Sequence, residues 1–140
     1  MGDKELENQI KRQIANCVEN RKIYNFLLGN NGGFDRCCAK YVKDMKALYP
    51  QIKSFLVLAY LPCKVDDNDK EFTDKMFDEV VYPALEKVPK KYAILARNKW
   101  MVDNSDFIIF YVNHSWGGAC KSLEYATRKH KNHINFGEIK

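Results

Sequence analysis

The sequence predicts a Rossmann-like α/β fold, a three-layer sandwich with a mostly parallel sheet, formed by a single domain that spans residues 1–140. Short apolar runs alternate with amphipathic stretches of helical period, which is typical of parallel strands covered on both faces. Two glycine-rich loops each follow an apolar run and precede a helical stretch. Ligands of such sheets bind at the carboxyl ends of the strands, where these loops would lie.

The first half of the chain is predicted to run helix, strand, loop, helix, strand. Leu6, Ile10, Ile14 and Val18 recur every four residues and mark one face of the first helix. Residues 23–28 and 55–61 are apolar and predict two buried strands. The helix between them is expected to end near Pro50, with five inward positions: Phe34, Cys38, Tyr41, Met45 and Leu48.

The second half is less regular at its start. Charged residues at 64–75 predict an exposed loop, and the two prolines that follow limit the segment up to residue 91 to short helical pieces. The remaining elements are expected at Tyr92–Asn104 (helix), Phe107–Val112 (strand), Ala119–His130 (helix) and His133–Phe136 (strand).

Composition excludes several classes of protein. No apolar run approaches the ~20 residues of a membrane span, and the charged N-terminus is not a signal peptide, so a cytoplasmic protein without a membrane partner is expected. Five cysteines without a C-x-x-C pair predict reduced thiols and neither a metal nor a cofactor. The net charge of +5 is too small for the dense basic stripe of a nucleic-acid binder, so nucleic acid is not an expected partner.

The first glycine loop comprises Gly29, Asn30, Asn31, Gly32 and Gly33, followed by Phe34 and Asp35. Glycines let the backbone approach a ligand closely, and the helix that follows offers free N–H groups to an anion. The same glycines would also serve a plain strand-to-helix turn, and Asp35 suits the first turn of any helix. Both interpretations stay open.

The second loop comprises Ser115, Trp116, Gly117, Gly118 and Ala119. Trp116 is placed either to stack on a base or to cover the core. His114, just before the loop, is either an acid–base group or a hydrogen-bonding loop residue. Glu124 lies about one and a half turns into the following helix and is either functional or solvated.

A third group, Arg97 to Met101, lies on the predicted helix before the last long strand. The Arg97 side chain could form a fork with phosphate or pair with Glu124, or simply lie on the surface.

Together these residues resemble the SLOG superfamily, which includes Lonely Guy nucleotide hydrolases and the SMF/DprA proteins. Small bacterial members carry a glycine loop ending in Phe-Asp, an Arg-Asn-x-Trp-Met helix and a His-x-Trp-Gly-Gly-Ala loop. All three motifs stand in this chain at residues 32–35, 97–101 and 114–119, and the resemblance runs from about Gly29 to Phe136.

The comparison with Lonely Guy enzymes implies a reaction. Their catalytic Arg and Glu match Arg97 and Glu124, and a carboxylate can stabilise the positive charge that develops on ribose during glycosidic cleavage. Their pattern is not fully kept: Asn98 replaces a lysine, Trp116 replaces a proline, and residues 120–121 replace the Gly-Thr that receives phosphate. The loop before the glycines is also longer.

The resemblance also implies that a strand is missing. SLOG chains usually open with a strand and a Gly-His-Arg-like loop, whereas this sequence opens on the first helix. The absence would leave apolar surface and unpaired backbone groups, which predicts a truncated sequence or a homo-oligomer in which a neighbouring chain covers the gap.

The predicted function is binding of a nucleotide or nucleotide-derived small molecule in a cleft between the two glycine loops, as a ligand sensor. The alternative is a Lonely Guy-like phosphoribohydrolase that cleaves nucleoside 5′-monophosphates through Arg97 and Glu124, and a third is DprA-like binding of single-stranded DNA. Whether the protein is an enzyme is left open. The predicted ligand-binding residues are Gly29, Asn30, Gly32, Gly33, Phe34, Asp35, Asn98, Met101, His114, Ser115, Trp116, Gly117, Gly118 and Ala119.

Overall fold

The computed structural model describes residues 3–61 and 73–139. The chain divides into two compact units, Met1–Tyr82 and Pro83–Lys140, called here the first and the second unit. Most of the charged loop expected at residues 64–75 lies outside the described residues. The single domain expected for residues 1–140 stays a prediction.

The first unit contains two long helices, one short helical turn at residues 73–76 and a parallel sheet. Its elements are α1 (Asp3–Asn20), β1 (Asn25–Leu28), α2 (Gly33–Lys46), β2 (Lys53–Val57) and β3 (Glu79–Val81). The strands pair in the order β1-β2-β3. Helices α1 and α2 pack together and bury the apolar side chains of Ile10, Ile14, Val18, Val42 and Met45.

Strand β3 is held to β2 by a carboxylate as well as by backbone pairing. One Asp78 oxygen accepts a hydrogen bond from the Ser54 backbone N–H at 2.8 Å, and the other forms an ion pair with Lys46. The Lys46 hydrogen bond is the largest cause that lowers the pKa of Asp78, and the Ser54 N–H adds to it. Lys53 and Glu79 form a further ion pair across the strands at 2.8 Å.

The second unit contains a short 3₁₀ turn, Lys90–Tyr92, and four longer elements. These are α3 (Ala93–Asp103), β4 (Phe107–Phe110), α4 (Gly118–Arg128) and β5 (Asn132–Asn135). The two strands pair in parallel, with Ile109 opposite Ile134. Helices α3 and α4 pack together. The buried cluster consists of Val102, Phe110, Val112, Cys120 and Ala126.

The Asn135 side chain continues the pairing of β4 and β5 beyond the ends of the strands. Its Oδ1 accepts hydrogen bonds from the backbone N–H groups of Val112 (2.8 Å) and Gly137 (3.0 Å), and its Nδ2 donates to the Val112 carbonyl at 3.2 Å. Gly137 therefore passes close to Val112, and an added Cβ would lie 2.3 Å from the Val112 carbonyl oxygen.

These elements confirm the α/β class with parallel strands, in keeping with a Rossmann-like fold. Three local expectations are wrong. The segment before residue 91 contains β3, whose three residues are too few to show a period. Leu48 is 72% exposed because α2 ends at Lys46 and its periodicity stops there. The strands expected to reach residues 61 and 112 end at Val57 and Phe110.

Among the described residues, no helix combines the length and the apolar character that a membrane span requires.

Candidate functional site

The first glycine loop joins β1 to α2 and has a backbone that glycine alone adopts readily. Gly32 has φ +104° and ψ 176°, a region that is essentially restricted to glycine. It stands at the N-cap position of α2, and no side chain caps that end of the helix. An added Cβ at Gly32 or Gly33 would meet no atom within 4 Å, so space is open on the side of each glycine where a Cβ would lie.

Asp35 forms a hydrogen bond within this loop. Its Oδ2 accepts a hydrogen bond from the Asn31 backbone N–H at 2.9 Å. Gly29 is buried, Asn30 is exposed and Phe34 is half-buried. The contact supports a role for Asp35 in shaping the loop, which is the structural alternative that the sequence left open.

The adjacent cysteines Cys37 and Cys38 lie in the first turns of α2, and both are half-buried. Burial, with smaller contributions from the neighbouring Asp35 and Cys37, raises the pKa of the Cys38 thiol to about 12. Cys38 is therefore protonated at neutral pH and is a poor nucleophile.

An exposed aromatic residue lies at the same edge of the first unit's sheet. Leu28 pairs with Leu56 in the parallel register, so the carboxyl ends of β1 and β2 lie side by side. Tyr60 follows β2 there and is 41% exposed. Sequence analysis missed Tyr60, although its place just after an apolar run was a usable signal.

The second glycine loop, between β4 and α4, repeats the conformation of the first. Gly117 has φ +92° and ψ 174°, occupies the N-cap position of α4 and has open space where a Cβ would lie. No side chain caps this helix either. A Cβ added at Gly118 would lie 3.8 Å from the Leu95 side chain, which is an ordinary van der Waals contact. Ser115 and Ala119 are exposed.

Two aromatic side chains, His114 just before this loop and Trp116 within it, contact each other. The rings of His114 and Trp116 stack with their centroids 4.6 Å apart and an interplanar angle of 19°. Trp116 is 70% exposed, so it does not cover the core. Of the two interpretations of Trp116, stacking on a ligand's base therefore remains. The contact with His114 restricts the orientation of the indole ring.

Arg97 lies in α3 and is only 2% exposed, so it is not a surface arginine. Its Nε donates a hydrogen bond to Asn98 Oδ1 at 2.9 Å. Asn98 and Met101 are half-buried on the same helix. The contact of Arg97 with a ligand stays a prediction.

Glu124 is exposed on α4, and its Oε1 accepts a hydrogen bond from Cys120 Sγ at 3.6 Å. Burial, followed by the Glu124 carboxylate, raises the pKa of the Cys120 thiol. Sequence analysis missed this contact, although a spacing of four residues places both side chains on one helix face. The predicted pairing of Arg97 with Glu124 stays a prediction.

Within residues 3–61 and 73–139, no group of three or more His, Cys, Asp or Glu side chains is arranged to hold a metal ion.

Comparison with known proteins places the chain in a family. No curated protein matches the sequence. The family model described as the YspA SLOG family matches residues 3–138, which confirms the predicted SLOG superfamily. SLOG membership indicates binding of nucleotide-related ligands in general. With nearly its whole length matched, the chain belongs to the YspA SLOG family.

Proposed function

We propose that this protein is a ligand sensor that binds a nucleotide or nucleotide-derived molecule at its glycine loops. The observation that carries the proposal is the Trp116–His114 stack beside Gly117, at the N-terminus of α4. An exposed indole offers a flat apolar face to a base, and the uncapped helix start offers backbone N–H donors to a phosphate. One loop therefore supplies groups for both ends of a nucleotide.

The first loop supports the same function. Gly32 and Gly117 have nearly equal backbone angles, and each begins a helix without a side-chain cap. Open space at both positions leaves room for a ligand's oxygen atoms to approach the backbone. We propose that the first loop, like the second, can offer backbone donors to a ligand's oxygen atoms.

Replacing Trp116 by Leu is expected to lower nucleotide affinity by about 5-fold or more, since base–aromatic stacking is worth about 1–3 kcal/mol per base. Titration of the wild type with nucleoside monophosphates should also change the tryptophan fluorescence. That change should disappear in Trp116→Phe and persist in Trp100→Phe, because Trp100 lies on α3 outside the loop.

The matched pair of variants keeps this test decisive. An unchanged affinity in Trp116→Leu would contradict the stacking role of this residue. A fluorescence change carried by Trp100 alone would place the ligand away from the second glycine loop.

Hydrolysis is the second candidate function, favoured by the exposure of the Glu124 carboxylate on α4. Glu124 would stabilise the developing charge on ribose or activate water, and Arg97 would orient the nucleotide. Release of a free base from any nucleoside monophosphate by the wild type would favour the hydrolase over the sensor. Tight binding without release would favour the sensor.

A further inference from the structure

His114 lies beside the proposed nucleotide site, and its sequence left two roles open, acid–base group and hydrogen-bonding loop residue. Its imidazole stacks on the Trp116 indole with the ring centroids 4.6 Å apart and an interplanar angle of 19°. The imidazole therefore covers one face of the indole. Trp116 is nevertheless 70% exposed, so the face that is turned away from His114 is open to a ligand.

A tryptophan with this exposure is not held in place by the core of the second unit. A side chain that samples several rotamers has to be ordered when a ligand binds, and this ordering lowers the affinity. Aromatic rings attract each other when they stack at centroid separations of about 4.5–7 Å. The contact with His114 falls in this range. It therefore orders the indole before a ligand arrives.

The backbone that leads into His114 is fixed by the end of β5 and the residues that follow it. The Asn135 side chain bonds both the N–H and the carbonyl of Val112, at 2.8 and 3.2 Å. The Glu138 backbone N–H donates a hydrogen bond to Asn113 Oδ1 at 3.1 Å. These bonds hold the two residues directly before His114. The imidazole is thus attached to an anchored stretch of backbone, whereas the indole belongs to an exposed loop.

We infer that His114 is a positioning residue of the nucleotide site, which holds the Trp116 indole with one face open to the ligand's base. The inference rests on the proposed function, because Trp116 has to be the residue that stacks on the base. An acid–base role needs a ring nitrogen that exchanges a proton, whereas a positioning role needs only a flat ring that stacks. The two roles therefore predict opposite results when a phenyl ring replaces the imidazole.

His114→Ala should weaken the binding of a nucleoside monophosphate by about 2- to 10-fold, since the indole is then ordered only when the ligand binds. His114→Phe should recover most of the lost affinity, because the phenyl ring stacks but carries no proton. Calorimetric titration measures both effects. Equal losses in the two variants, or an unchanged affinity in His114→Ala, would overturn the inference.

A measurement without ligand separates positioning from direct contact with the nucleotide. The chain has two tryptophans, so Trp116 is the only one left in a Trp100→Phe background. Time-resolved fluorescence anisotropy should show more fast local motion of the indole after His114→Ala, and His114→Phe should restrict it again. Unchanged local motion in a protein that binds nucleotide would overturn the role of His114 alone. Absence of nucleotide binding by the wild type would refute the proposed function itself.

The anchoring contact is tested with a matched pair of asparagine variants in the same background. Asn113→Ala removes the acceptor of the Glu138 N–H, so it should increase the local motion of Trp116 and lower nucleotide affinity. Asn104→Ala removes a hydrogen bond that the side chain donates to a backbone carbonyl of α3 at 2.8 Å, outside the loop, and should change neither quantity. Equal effects of the two substitutions would contradict the anchoring of His114 through Asn113.

Discussion

Replacing Gly137 by Ala is expected to lower the free energy of unfolding by about 3 kcal/mol or more, since overpacking and lost buried hydrogen bonds each cost about 1–3 kcal/mol. The new Cβ would lie 2.3 Å from the Val112 carbonyl oxygen and 2.7 Å from its nitrogen. These are backbone atoms, so a rotamer change cannot relieve the clash. Moving residue 137 would also break its hydrogen bond to Asn135.

Urea denaturation measures this effect, and Gly33→Ala is the matched control. Gly33 has open space around it, so the same added methyl should change stability by well under 1 kcal/mol. Equal stability of Gly137→Ala and the wild type would show that the chain does not run as close to Val112 as described.

Replacing Arg97 by Ala is expected to cost about 2–4 kcal/mol of stability, because the change leaves a buried cavity and removes the hydrogen-bond partner of Asn98 Oδ1. Affinity for phosphate-bearing ligands should also fall, by about 1.5–3 kcal/mol for one charge-assisted hydrogen bond if the guanidinium holds phosphate.

Two comparisons separate these effects. Lys99→Ala removes an exposed cation two residues away and should leave stability within about 0.5 kcal/mol. Calorimetry with a nucleoside and its monophosphate tells whether Arg97 acts on the phosphate. Equal losses of affinity for both ligands would assign Arg97 a purely positioning role, and wild-type stability would contradict its burial.

The sequence predicted most of the fold because hydrophobic periodicity is a local signal. Helix α1 follows from Ile10, Ile14 and Val18, all of which are buried. Strand β3 was not predicted, because it is held to β2 partly by the contact of Asp78 with Ser54, and these two residues are far apart in sequence. The exposure of Leu48 was not predicted, because the sequence has no strong helix-stop signal before Pro50 to show that α2 ends at Lys46.

The sequence predicted the two glycine loops of the candidate site but not the side-chain contacts around them. Glycine pairs between strand and helix signalled both loops, and Gly32 and Gly117 do have the conformation that requires glycine. The stack of His114 on Trp116 and the contact of Cys120 with Glu124 depend on side-chain geometry. The burial of Arg97 likewise arises only when the helices pack. The single cleft between the loops and the self-association of the chain stay predictions.

Native mass spectrometry of the gently purified protein tests the central claim most directly. The wild type is expected to carry a small molecule whose released form absorbs as a nucleobase and whose mass fits a nucleotide derivative. The same preparation of Trp116→Leu should carry much less of it, and Trp100→Phe should carry the wild-type amount. A wild-type protein that retains no such molecule, and that binds no nucleotide in calorimetric titration, would contradict the account.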